Sequence, residues 1–313
     1  MTDRLLVFSN PKVQKLLKEK LIPVAANDWY QRRRQDAEGE FFRAMANQGP
    51  KKGQGGSTRQ GHYVFTAGGK LLGYNNNRGP EKRLAMMHNA LEKWGQLPTS
   101  DKKVKVPAFT KPDLKFHRAL PEGGTIIKVY SRALENNDGK LTAMAQQQET
   151  GSMAAVDHLW IRKNEVAQLH KLIKDGGGAL PAWLAYRLTR NHLVDSTRGE
   201  PPRWKLDEIK TLDLSIDMAG TITGSFHQQT KDSQRGFKGK GRGRIQFDTQ
   251  GNLKAFEFLV IGQHWGEGRY TKGARPGKTP LGFVFQLSDG KKAQDTIPPQ
   301  GMGWERGYWE VWK

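Results

Sequence analysis

The sequence predicts an α+β protein: an N-terminal α/β unit followed by a mostly antiparallel β sandwich or barrel. Three observations carry this. In the first third, apolar residues recur at helical spacing behind cap signals, as in Val13, Leu16 and Leu17 after Asn10-Pro11. From about Leu206 onward the period drops to two, with Leu212, Leu214 and Ile216 alternating with Asp213, Ser215 and Asp217. Between these regions, Leu97 to Pro121 holds four prolines and many lysines with little periodicity, the composition of a linker or an extended wrap. The expected organisation is therefore a unit over 1–97, a linker over 98–123 and a β-rich unit over 124–313.

Taken in order, Pro11 to Lys20 is a helix, and Leu21 to Ala26 reads as a short buried strand. A charged helix is expected from about Asp28 to Asn47, then a Gly-rich basic loop from Gln48 to Thr58. Two apolar runs, 61–66 and 70–74, flank Ala67-Gly68-Gly69 and read as a hairpin. Pro80 to Trp94 follows as an amphipathic helix, with Leu84, Met87, Leu91 and Trp94 on one stripe. In the second unit Thr125 to Leu134 is a strand that turns back at 135–140. Helices are expected from Asn164 to Lys174 and from Pro181. Strands then recur at 212–216, 221–226, 243–247, 255–261 and 282–287, and a last strand is expected in the tail, Trp304 to Lys313.

Strand, helix, hairpin and helix in that order, with Asn-Pro-x-Val-x-x-Leu-Leu at 10–17 entering Ile22-Pro23-Val24, resembles the C-terminal half of a thioredoxin-like fold over residues 5–97. The resemblance implies an α/β domain built for dithiol chemistry. Two departures remove that chemistry. The chain has no cysteine at all, so it neither exchanges disulfides nor binds metal through thiolates. The family's proline at the start of the hairpin strand is also missing, replaced by Gln60-Gly61-His62. What the resemblance implies is thus a binding or structural module without redox activity.

Composition sets outer bounds. With 313 residues the chain is long enough for two ordinary domains. Fifty-one Lys and Arg against 31 Asp and Glu give a formal charge of +20, which attracts anionic partners: nucleic acid, an acidic glycan, or a phosphate or sulfate ligand. A highly soluble basic protein without such a partner has the same composition. No apolar run is long enough to span a membrane, and the start is too short in apolar residues for a signal peptide. Taken literally the chain is cytoplasmic; an exported protein with its signal removed would begin the same way, so the compartment stays open.

Three constellations carry possible chemistry. Arg235 to Arg244 (RGFKGKGRGR) holds five positive charges in ten residues. Lys238, Lys240, Arg242 and Arg244 share one face of a strand, and the glycines between them would allow close backbone approach to an anion. The plain alternative is a solvated edge protected from strand addition. The second constellation, Gln263 to Tyr270, clusters imidazole, indole, carboxylate and guanidinium at a strand end. There His264 is a candidate base oriented by Glu267, with Trp265, Arg269 and Arg275 as ligand contacts. A structural loop, with Trp265 plugging the barrel end and Glu267 paired to Arg269, is the alternative. The third is the tail, where Trp304, Tyr308 and Trp312 offer either a closing strand or an aromatic platform.

A metal site of His227, His264 and Asp217 matches no ligand spacing, and neither metal nor cofactor is expected. The Gly53 to Thr58 loop lacks the Walker lysine and reads as a flexible loop. Function is accordingly expected to be that of a non-redox binding or scaffold protein whose basic β-unit engages an anionic partner. A nucleic-acid-binding protein and an enzyme centred on His264, Glu267 and Arg269 are the alternatives.

Overall fold

Asn10 accepts hydrogen bonds from the N–H groups of Lys12 and Val13 at 3.0 and 3.4 Å, and Pro11 suits the first helical position, so helix α1 starts there and spans Pro11–Lys20. The structure is a computed structural model that describes residues 7–8, 10–50, 58–77, 79–104, 110–116, 118–145 and 153–310. It divides into two compact units, Asp3–Arg118 and Ala119–Lys313.

In the first unit the strand expected over 21–26 does not form. Pro23 removes a donor from the middle of the run, no strand among the described residues pairs with it, and Ile22 and Val24 are 91% and 73% exposed. The helix expected over 28–47 is broken into α2 (Asp28–Gln31) and α3 (Ala37–Ala46). Asp36 causes the break. Its side chain caps α3 by accepting the Gly39 N–H at 3.2 Å, and it is gripped by the buried Arg34 guanidinium at 2.7 Å. That guanidinium holds the Asp36 carboxyl well below the usual carboxylate range.

Strands β1 (His62–Phe65) and β2 (Leu71–Asn75) form the hairpin, backed by helix α4 (Pro80–Gln96) and followed by the short α5 (Thr99–Lys102). The hairpin and its closing helix are therefore present, but they carry a sheet of two strands only. Residues 110–116, expected within the linker, are tied to this unit instead. The Ala37 N–H donates to Thr110 Oγ1 at 2.8 Å, the Gln35 N–H to Asp113 Oδ2 at 2.9 Å, and the Asp113 N–H to Asp36 Oδ2 at 2.8 Å. The open Ala37 N–H at the start of α3 needs such an acceptor. Gly53 to Ser57 of the Gly-rich loop lies outside the described residues.

The second unit contains β3 (Thr125–Asn137), β4 (Lys140–Ala143), β5 (Ala154–Ile161), α6 (Lys163–Lys174), β6 (Gly177–Ala179) and α7 (Ala182–Arg187). It continues with β7 (Ile209–Asp217), β8 (Thr221–Gln229), β9 (Gly236–Phe247), β10 (Leu253–Trp265), β11 (Thr279–Leu287) and α8 (Glu305–Trp309). The strands form one continuous sheet in the order β4-β3-β11-β10-β9-β8-β7-β6, with β5 pairing β3 beside β4, and every pairing is antiparallel. The expected α+β class and mostly antiparallel sheet are observed. The described residues of this unit form no second sheet, and β5 and β6 at its ends do not pair with each other.

One face of the sheet is the core. Phe226, Phe237, Ile245, Phe256, Phe258, Val260, Leu281, Phe283 and Phe285 project from it into a cluster shared with Leu184, Leu188, Trp204 and Tyr308. Five phenylalanines on three adjacent strands overfill that face, and β9 gives way to them. Gly239, Gly241 and Gly243 occupy its inward positions, where a Cβ on Gly241 would collide with Phe258 Cζ and one on Gly239 would come within 2.8 Å of Phe237 Cζ. The three glycines between the ribbon's cations thus face the core. The expectation that they let a bound anion approach the backbone is corrected.

The tail is also corrected. Residues 300–304 form a 3-10 turn and α8 follows, with Tyr308 and Trp309 both buried. A strand would send these consecutive residues to opposite faces, whereas a helical turn lets both reach the core. Tyr308 is no platform. Its hydroxyl accepts the Trp160 N–H at 3.1 Å and lies 3.2 Å from His192 Nε2, while His192 Nδ1 lies 3.0 Å from Asp157 Oδ2. Beside it, Arg187 makes a bidentate pair with Glu165 at 2.7 and 2.9 Å and stacks on Trp183, Tyr308 and Trp309. Trp312 lies outside the described residues.

Two stability outcomes follow. Gly241→Ala overpacks the Phe258 ring and is expected to lower the unfolding free energy by about 1–3 kcal/mol, read as a lower denaturant midpoint with unchanged slope. Glu165→Ala strands the Arg187 charge in the core, at an expected cost of about 3–5 kcal/mol, measured by the same denaturation.

Candidate functional site

The basic ribbon is strand β9. Because its inward positions are glycines fixed by the phenylalanine rings, Lys238, Lys240, Arg242 and Arg244 all point to the outer face, and all four are exposed. Two residues apart along a strand, successive cations are roughly 6.7 Å apart. On β8 they are flanked in register by Thr221, Thr223, Ser225 and His227, and on β10 by Glu257, Leu259, Ile261 and Gln263. No carboxylate oxygen of the described residues lies within 4.0 Å of any of the four. Four like charges side by side, with Glu257 beside Arg244 as their one acidic in-register neighbour, repel one another, and that repulsion is relieved by an anion.

The second candidate is a cavity of about 290 Å³ whose wall includes His264, Asp195, Thr197, Arg198 and Arg275. His264 sits on β10 opposite Phe237 and Thr279 and faces inward, so it is buried. Its Nδ1 is 4.0 Å from Asp195 Oδ2, beyond hydrogen-bond reach. Burial, reinforced by Arg198, Arg235 and Arg275 against the pull of Asp195, pushes the imidazole pKa down to about 4, so the ring is neutral at pH 7. Burial works against the Asp195 carboxylate. The His264 ring, the Arg198 guanidinium and the Thr197 hydroxyl together nonetheless hold its pKa below the ordinary range.

The other expected members of this site do not assemble as the sequence suggested. Glu267 does not orient His264; its carboxylate accepts the N–H groups of Gly273 and Ala274 at 2.7 and 2.9 Å and pairs with Lys272, closing its own loop. Nor does it pair with Arg269, which is exposed and lies over the Tyr270 ring at 5.2 Å. Trp265 alternates to the outer face, donates to the Ser233 carbonyl at 3.0 Å and carries Lys278 over its ring at 4.7 Å. Arg275 reaches the cavity wall, but its guanidinium is engaged by the carbonyls of Leu134 and Pro280. Arg198 is likewise consumed by Asp195, Thr271 O and Gly266 O.

An arginine clamp for an anion is therefore not formed in the cavity. His227 lies on the outer face and His264 on the inner, so the two cannot share a metal, and no cluster of metal-ligating side chains exists among the described residues. Asp195 is the member that sequence reasoning missed. Its only local signal is the Asp-Ser-Thr turn, in which Asp195 accepts the Thr197 N–H at 3.0 Å. The chain was compared with protein-family models, curated proteins and solved structures, and none matches.

The buried imidazole has a pH signature. Folded His264 resists protonation relative to the ordinary value of 6.5, so protons favour the unfolded chain. Stability is expected to fall as pH drops from about 6.5 and to level off below about 4, a loss of about 3 kcal/mol at most. Denaturation midpoints measured across that window should decline less steeply in His264→Gln than in the parent chain.

Proposed function

We propose that this chain is a non-redox binding protein whose β-rich unit engages an anionic partner through the outer face of its sheet. The observation that carries the reading is the ladder Lys238, Lys240, Arg242 and Arg244. It has four exposed cations in one row with no carboxylate within 4.0 Å among the described residues. A formal charge of +20 supplies long-range attraction to the same class of partner. The row of hydroxyls on β8 adds donors for phosphate or sulfate oxygens.

The N-terminal unit enters this reading as an accessory module. Its thioredoxin-like resemblance rests on the segment 10–24, the hairpin β1–β2 and helix α4, and a chain without thiols performs no disulfide exchange. The cavity at His264 is a weaker basis for function, because both arginines on its wall are engaged by protein oxygens.

Binding to a model polyanion, heparin or duplex DNA, should weaken steeply with salt. With duplex DNA a four-cation contact predicts a slope of log K against log salt of about −3 to −4. The double variant Lys240→Glu/Arg242→Glu should lose at least tenfold in affinity while keeping its denaturation midpoint, since both side chains are exposed. A flat salt dependence, or full binding by the double variant, would overturn the reading.

A further inference from the structure

The open part of the outer face is not only cationic. Leu259 on β10, Val284 on β11, Tyr130 on β3 and Val156 on β5 are successive Cα partners across four strands. They are 46%, 42%, 37% and 53% exposed. With strands about 4.8 Å apart, the row crosses roughly 14 Å of the sheet. In the same register it continues through Arg242 to Thr223 and Ser215. One line across the sheet therefore passes from apolar to cationic to hydroxyl.

Where the two halves meet, a shallow depression of about 410 Å³ is lined by Leu259 and Ile261 on one side and Lys240, Arg242 and Thr223 on the other. Elsewhere the same face is covered. The segment after β11 lies over its far end, with the Ser288 N–H donating to Ile126 O at 2.9 Å and Asp295 pairing with Lys128 at 2.7 Å. The apolar row is thus left open beside a surface that the chain covers with its own residues.

We infer that the anionic partner of this face is a lipid bilayer surface carrying acidic headgroups. The inference rests on the proposed reading that the β9 ladder binds an anion. Lys238, Lys240, Arg242 and Arg244 meet the headgroup phosphates, their stems lying along the apolar surface. Leu259, Val284 and Val156 enter the boundary between headgroups and acyl chains, with Tyr130 amphipathic among them.

The chemistry favours lipid over nucleic acid. A single-stranded nucleic acid needs aromatic faces for its bases, and this row offers one tyrosine; a duplex is held through its phosphates and would leave the three aliphatic side chains in water. It also disfavours a second copy of the chain, since two such faces would bring like-charged ladders together. Charge and apolar contact together match the two signals that reversible membrane attachment requires.

The test is co-sedimentation of the full chain with vesicles of phosphatidylcholine alone and with about a third phosphatidylserine. It is run beside anisotropy with single-stranded RNA and duplex DNA, and light scattering of the protein alone. The expected result is at least tenfold stronger partition onto the acidic vesicles. That partition should drop tenfold or more in Lys240→Gln/Arg242→Gln and, at unchanged charge, in Leu259→Ser/Val284→Thr. Failure on acidic vesicles with retained binding of RNA, DNA or heparin through Lys240 and Arg242 overturns the lipid assignment and leaves the anionic-partner reading standing. Undiminished vesicle binding by the Leu259/Val284 variant, or dimerisation lost in that variant, overturns it as well. No binding to any polyanion overturns both.

Discussion

The interlock between phenylalanine rings and glycines on the inner face of the large sheet governs everything exposed on the other side. Phe237, Phe258 and Phe283 claim more room than three neighbouring strands can share, and Gly239, Gly241, Gly243 and Gly262 yield it. Because strand side chains alternate strictly, seating those glycines inward fixes the register of β9 against β8 and β10. A slip of one residue would bury four cations among aromatic rings, a cost no fold could offset. The cationic ladder is the other half of a core-packing solution.

A second constraint is the polar hub under the sheet. Arg187, Glu165, His192, Asp157 and Tyr308 satisfy one another and the backbone of Trp160. Their residue types alone would suit a catalytic relay. They are enclosed by Trp160, Trp183 and Trp309, and each named contact joins protein to protein. Pairing of this kind is what allows charged groups to be buried at all, so here it orders the turn Leu188–His192 and the tail helix against β5. The polar groups of this hub are committed to structure.

Much was legible locally. The cap at Asn10, the hairpin at 62–75, the helix at 80–96 and the period-two strands β7 to β11 rest on neighbouring residues, and local chemistry decided them. Leu21 to Ala26 misled because an apolar run becomes a strand only with a partner, and none pairs with it among the described residues. The tail misled because alternation and helical spacing both fit WERGYWEVWK, and burial of Tyr308 and Trp309 together chose the helix. At the cavity, Glu267 stood closer to His264 in sequence, but Asp195, sixty-nine positions away, came nearer in space.

The sequence by itself determined the absence of thiol chemistry, the basic charge and the common face of Lys238, Lys240, Arg242 and Arg244, since composition and a period of two require no knowledge of neighbours. Only the tertiary structure decided which side of the sheet that face became. Strand order decided what lies beside it. Leu259, Val284, Tyr130 and Val156 come from strands separated by up to 154 residues in the chain, and nothing local marks them as outward or adjacent. Their alignment follows from β3 pairing with both β11 and β5, a long-range choice made by the shared core.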